Sequence, residues 1–218
     1  MKILYLFKIL IVTYLFFYMM SDVSAQGFMI GAKYTKNYTT LRNKEVDNNI
    51  VEQKYTPSFG DNYGFVLNYY FTENFGLQTE VLYNSINQKY KGKFNLNEFK
   101  SIVEVNTIDV PLMFTIGKVF YLEVGAVLNY VFDASFQETL SETNSKNIND
   151  KFKQMNWGIV SGFGFNLYVT KSVILNLGLR GNYSMDDYKG VNAIGQDIIN
   201  NKTTSYSIGA QGGLKFKL

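Results

Sequence analysis

The sequence predicts an all-β fold, an eight-stranded antiparallel up-and-down transmembrane β-barrel after a cleaved signal peptide. Three observations lead there. Apolar residues alternate with polar or small ones in eight segments, the connections between segments alternate between short and long, and no apolar run after residue 26 reaches the length of a helical span. Composition narrows the class. The 218 residues include 17 Tyr and 18 Phe but no Cys and no His, which removes thiolate metal sites, disulfides and most general-base arrangements. No catalytic set, cofactor or metal is therefore expected, and the protein reads as a non-enzyme. The formal charge of +3 is scattered along the chain, so nucleic acid is not an expected partner.

The chain opens with Lys2 and Lys8, an apolar run from Ile9 to Met20, and Ser21-Asp22-Val23-Ser24-Ala25, with compact residues at Val23 and Ala25. This pattern predicts a Sec-type signal peptide over 1–25, leaving 26–218 as the barrel domain; an uncleaved anchor is the alternative. Removing Lys2, Lys8 and Asp22 leaves 19 basic and 17 acidic residues, a nearly neutral exported chain.

The eight segments run Gly27 to Thr40, Asn62 to Phe71, Phe75 to Tyr90, Ile102 to Ile116, Val119 to Asp133, Gln154 to Tyr168, Val173 to Asp186 and Thr203 to Leu218. In the fifth, Leu122, Val124, Ala126, Leu128, Tyr130 and Phe132 share one face, and Tyr121, Glu123, Gly125, Val127, Asn129 and Asp133 the other. The sixth and seventh repeat the split, with Trp157, Ile159, Phe163 and Phe165 against Gly158, Gly162 and Gly164, then Leu175, Leu177 and Leu179 against Asn176, Gly178 and Arg180. Thr72 to Asn74, Gly117-Lys118 and Val169 to Ser172 are tight turns, whereas Leu41 to Asp61, Lys91 to Ser101, Ala134 to Lys153 and Asp187 to Lys202 read as long polar loops, the first and third with few apolar anchors. Short turns at one end and long loops at the other suit a barrel in an outer membrane, short turns facing the periplasm. Aromatic residues cluster near both ends, Phe28, Phe71, Phe75, Phe120, Tyr168 and Phe216 at one and Tyr34, Tyr63, Tyr83, Tyr130, Trp157, Tyr183 and Tyr206 at the other. Pro111, within the fourth segment, predicts a bulge or bend because it lacks an N–H. The glycines at 158, 162 and 164 predict room inside a narrow barrel for larger residues opposite.

The alternation assigns Lys33, Glu80, Asp109, Glu123, Arg180, Gln211 and Lys215 to the interior. A charge facing lipid is expensive, about 2–4 kcal/mol for Arg or Lys near the midplane. An eight-stranded interior is just wide enough for its own side chains. Lys33, Arg180 and Lys215 are accordingly expected to form a lumen ion-pair network with Glu80, Asp109 and Glu123, centred on Arg180. The alternatives are a narrow selective pore and a soluble lipocalin-like barrel, the latter requiring every apolar face to point inward.

Ile108-Asp109-Val110-Pro111-Leu112-Met113-Phe114, Tyr121 to Ala126, the Gly-rich stretch from Gly158 to Gly164 and the closing Gly212-Gly213-Leu214-Lys215-Phe216-Lys217-Leu218 resemble strands of the PorT-like outer-membrane β-barrel family of Bacteroidetes. The resemblance spans essentially the whole mature chain and rests on structural motifs. It implies a Gram-negative outer-membrane protein, contact with the lipid bilayer, delivery to the barrel-assembly machinery by the terminal strand, and a structural, surface-interaction or secretion-associated role. A secretion-complex or cell-surface partner is the macromolecular contact it implies.

Overall fold

The computed structural model describes residues 27–43, 52–94, 97–138, 145–191, 197 and 202–218. The expected signal segment over 1–25 lies outside the described residues, as do parts of the long connections. In chain order the strands are β1 (Gly27–Arg42), β2 (Glu52–Thr56), β3 (Ser58–Tyr70), β4 (Phe75–Phe94), β5 (Asn97–Ile116), β6 (Phe120–Glu138), β7 (Lys146–Asn147), β8 (Met155–Tyr168), β9 (Val173–Ser184) and β10 (Thr204–Lys217). Eight of them close an antiparallel ring in the order β1, β3, β4, β5, β6, β8, β9, β10 and back to β1. Closure pairs every barrel strand on both sides, which removes the exposed edges of an open sheet.

β2 continues β3 beyond Pro57, pairing with the far end of β4. Between Thr56↔Lys89 and Asn62↔Asn84 there are six steps on one strand and five on the other, so the chain gains a residue where proline breaks the ladder. Pro111 behaves differently. Its register with both neighbours is unbroken, and the ladder to β4 simply skips from Thr79↔Leu112 to Leu82↔Asp109. The expected bulge at Pro111 is thus absent. It sits instead between Asn106 and Thr107, where β6 carries the extra residue Phe132. That bulge also corrects the placement of Asp133, which leaves the inward set and pairs with Asn106 on the outer face.

Near the short turns the strands are apolar outside and polar inside. Val124 and Leu128 of β6 and Leu177 and Leu179 of β9 are exposed, while Glu123, Asn129, Asn176 and Arg180 are buried. A ring with this polarity needs an apolar solvent around it, so the lipocalin-like alternative, which inverts it, does not hold. Phe28, Phe75, Phe120 and Phe216 stand exposed near the short turns, and Tyr34, Tyr63, Tyr130, Trp157 and Tyr183 toward the other end. Tyr168 departs from the expected belt, since it lines the barrel mouth beside Met29 and Tyr70.

Farther along, β4 and β5 reverse their polarity without changing phase. On β4, Gln78 and Glu80 point inward below, but Ile86 and Tyr90 are the buried inward residues above, with Lys89 and Lys91 exposed outside. On β5, inward Asp109 gives way to Val105, Val103 and Phe99, while Lys100 faces out. With β4 and β5 each 20 residues long, against roughly 10 for a membrane-spanning strand, the ring continues well past the apolar band. The stretch Lys91 to Ser101, expected as a long loop, is mostly paired strand up to Phe94↔Asn97. Above the bulge the interior becomes an ordinary apolar core. Leu41, Ile86, Tyr90, Phe99, Val103, Val105, Val131, Ala134 and Phe136 come from the strands, and Ile148, Phe152, Tyr188 and Val191 from the connections.

Ile148 and Phe152 correct the expectation of few apolar anchors in Ala134 to Lys153, and Tyr188 and Val191 join them from the β9–β10 connection. The 3-10 turn Asn149–Lys151 lays Phe152 over the mouth, and Phe152 bridges to Lys189 of the β9–β10 connection. Gly190, at φ +106, passes close under the Phe152 ring, where an added Cβ would come within 2.7 Å of it. Lys151–Asp197 at 3.0 Å and Lys153–Asp186 at 2.9 Å fasten the two connections from outside. Truncating Phe152 removes a buried ring from this cap. Phe152→Ala is expected to lower the unfolding free energy of the refolded barrel by about 3 kcal/mol, read from urea titration in lipid vesicles.

Candidate functional site

The charged residues of the lower interior converge on Arg180. β9 directs Arg180 inward, and its register neighbours are Gly162 on β8 and Gly209 on β10. Gly162 in turn pairs with Glu123 on β6. With no side chain between them, the guanidinium and the Glu123 carboxylate meet across β8. A Cβ on Gly162 would stand 2.7 Å from Glu123 Oε1. Arg180 Nε donates to Glu123 Oε1 at 2.8 Å, and Nη2 lies 2.7 Å from the same oxygen. On its other side Arg180 grips Glu80 with two parallel bonds, Nη1 to Oε2 at 2.5 Å and Nη2 to Oε1 at 2.9 Å. Such fork-to-fork pairing fixes direction as well as charge.

Lys33 of β1 completes the layer, 2.7 Å from Glu80 Oε1 and 4.0 Å from Glu123 Oε2. Gln78 donates to both carboxylates, at 2.6 Å to Glu80 and 3.2 Å to Glu123. All four charged side chains are at most 3% exposed. Burial of this kind is tolerable only where each charge is matched and each remaining polar atom has a partner.

The other two members of the expected network sit apart. Lys215 forms no ion pair within 4 Å among the described residues; it donates to Gln78 Oε1 at 2.8 Å and lies 5.8 Å from the centre of the Tyr121 ring. Asp109 is one tier higher, where it accepts a 2.7 Å bond from Thr107 Oγ1 and does not reach Arg180. Between the charged layer and the short turns runs a neutral chain. Gln211 donates to Tyr121 Oη at 2.8 Å, Tyr121 donates to Asn176 Oδ1 at 3.3 Å, Asn176 to Asn166 at 2.7 Å, and Asn166 to the Lys118 carbonyl at 2.8 Å. Tyr121 lies across Gly164 and Gly178, either of which would press a Cβ within 2.7 Å of its hydroxyl. The glycines therefore make the room that the sequence pattern suggests, for Tyr121 and Glu123 in particular.

Sequence reasoning passes over a second polar group, on the outside. Lys36 and Asp61 are register partners on β1 and β3, 2.8 Å apart, and Tyr34 donates to the same carboxylate at 2.5 Å. Farther round, Tyr83 donates to Asn106, whose amide reaches Glu104 at 3.3 Å and Asp133 at 3.2 Å. These side chains share the height of the polarity reversal. The signal for Lys36 was present in its parity with Tyr34 and Tyr38, whereas Asp61 falls in a stretch read as loop.

Among the described residues no group of three or more potential metal-ligating side chains is arranged to hold an ion. The charged layer has its lone pairs and protons turned onto one another, and what it does chemically is fill and neutralise the lumen at one height. No curated protein sequence matches the chain. Similar solved structures include Neisserial surface protein A, 17% identical over 89% of this chain and 99% of that one with a TM-score of 0.48, and OprG of Pseudomonas aeruginosa, 12% identical over 89% and 97% with a TM-score of 0.40. Outer Membrane Protein W of E. coli is 15% identical over 89% and 98%, with a TM-score of 0.38. A family model described as an outer membrane protein beta-barrel domain matches residues 24–188. With that match spanning well over half of its length, the chain belongs to the family of outer membrane protein beta-barrel domains.

Proposed function

We propose that this outer-membrane barrel is closed to solutes and acts at the cell surface, as a structural or interaction protein held in the bilayer. The observation that carries this reading is the reversal of polarity along β4, β5 and β6. It supplies a polar plug at bilayer height and, beyond it, a stiff extension with its own apolar core and a lysine-rich exterior. A conducting porin needs a continuous polar lumen, and this interior is interrupted twice. The short turns face the periplasm in this reading, and the extension with its capping connections faces outward. Residues 1–25 serve as the export signal and are removed, and the terminal strand β10 engages the assembly machinery. The secretion-associated role and the PorT-like assignment draw support from the strand motifs around Pro111 and at the end of the chain.

Reconstitution in planar bilayers tests closure directly: no sustained conductance step is expected from the purified protein in molar KCl, and a steady open level would overturn the reading. Orientation has its own measurement. A Cys introduced at Asp150 should react with an impermeant maleimide added to intact cells, and a Cys at Asn74 only after the envelope is opened.

The role of the charged layer is read from stability. Removing Arg180 leaves two buried carboxylates with one lysine between them, which costs about 3–5 kcal/mol where water is excluded. Arg180→Leu should lower the unfolding free energy by that order, and Glu80→Leu or Glu123→Leu in the same chain should restore part of it. A double-mutant cycle with Asp109→Leu should show no such coupling, because Asp109 lies outside the layer.

A further inference from the structure

The short-turn mouth of the barrel is a hollow of about 580 Å³, within the size range of small-molecule sites. Its floor is Met29 and Tyr70, packed on Ile174 as a buried apolar cluster. Tyr70 is fixed there by its hydroxyl, which donates to the Gly117 carbonyl at 3.3 Å. One wall is Tyr168, 41% exposed. Around the rim stand three lysines from three separate elements: Lys118 on the β5–β6 turn, Lys171 on the β8–β9 turn and Lys217 at the end of β10. Glu73, on the β3–β4 turn, is the acidic residue of the lining. None of the three lysines has an ion pair within 4 Å among the described residues, in contrast to Lys33 and Lys36.

The geometry points to a binding site for a soluble anionic ligand, a phosphate or carboxylate carried on a compact body with some apolar surface. Three lysines from elements distant in sequence line one hollow, and they outnumber the single lining carboxylate. Coulombic attraction at a concave, low-dielectric surface focuses an anion there. Met29 and the Tyr168 ring give the uncharged part of the ligand an apolar surface to rest on. The hollow is blind, because Tyr121 and the Arg180 layer lie behind its floor, so the site holds its ligand and does not pass it on. The ligand comes from water and not from the bilayer. Met29, Tyr70, Tyr168 and Lys217 share the inward phase of their strands, whereas the membrane-facing phase at this end presents Phe28, Phe75, Phe120 and Phe165. With the orientation given above, on which the source of the ligand rests, that water is the periplasm.

The test uses the full barrel in phosphatidylcholine nanodiscs, which expose both mouths, with methionine methyl groups labelled for NMR and Met29 as the local reporter. Glucose 1-phosphate should shift the Met29 methyl saturably and glucose should not. The affinity should fall at least tenfold in the combined variant K118Q/K171Q/K217Q and stay unchanged in K36Q, whose lysine lies on the outer face. Nanodiscs containing phosphatidylglycerol should leave the Met29 resonance and the affinity as they were. The proposal is overturned if glucose 1-phosphate gives no saturable shift, if the shift survives in the triple variant, or if phosphatidylglycerol itself moves the resonance and abolishes the response, which would assign the anion to a lipid headgroup. A silent Met29 would leave closure of the lumen untouched, and a conducting lumen would not by itself silence Met29.

Discussion

A guanidinium taken out of water has to keep its counter-charges, and Arg180 keeps two. Its bonds to Glu80 on β4 and Glu123 on β6 tie β9 to elements far from it in sequence, with Lys33 of β1 drawn in on Glu80 Oε1, an oxygen it shares with Arg180, and near Glu123 Oε2. That one arrangement explains several otherwise unrelated features of the lower barrel. Gly162 has to lack a side chain because the Arg180–Glu123 contact runs across it. Gln78 has to be an amide because it donates to both carboxylates while accepting from Lys215. Buried charge of this sort contributes little net stability against an apolar filling of equal volume, and its value lies in what it forbids. A strand slipped by one residue would turn Arg180 into lipid.

The two tiers of the interior follow from the two media outside. Where hydrocarbon surrounds the ring, apolar side chains gain nothing by turning inward, and the interior is left to the polar residues. Where water surrounds it, the usual preference returns, and Ile86, Tyr90, Phe99 and Val103 go inside. β4 and β5 pass through the change without altering their alternation, while β6 shifts phase by the one residue of its bulge. The transition is marked by the β5–β6 bulge beside Asn106 and by the outer polar contacts of Lys36, Asp61 and Asn106.

This explains what was legible in the sequence and what was not. Alternation of period two is a local property, and it placed Lys33, Glu80, Glu123 and Arg180 inside because each sits among apolar neighbours of opposite parity. Partner choice is not local. Strand tilt and stagger decide which inward residues share a height, so Asp109 counted as an equal candidate for Arg180 although it lies a tier above. The upper tier was hidden for a different reason. Lys91, Lys93 and Lys100 make the stretch read as solvated loop, and its few inward apolar residues look too sparse to form a core until β5, β6 and the capping connections bring Phe99, Phe136 and Phe152 to meet them. Asp133 was misplaced by a single inserted residue, since a bulge reverses parity and leaves no mark in composition.

The polarity reversal also divides the barrel thermodynamically. Below the bulge, the outward leucines and phenylalanines exchange one hydrocarbon contact for another when the barrel is inserted, and their contribution depends on the lipid they meet. Above it, the aromatic and aliphatic residues leave water on folding, so this half carries the positive heat capacity of unfolding that belongs to a water-soluble core. A continuous set of hydrogen-bonded strands thus joins one half whose stability is governed by membrane composition to another whose stability curves with temperature. The same 20-residue strands, β4 and β5, answer to both.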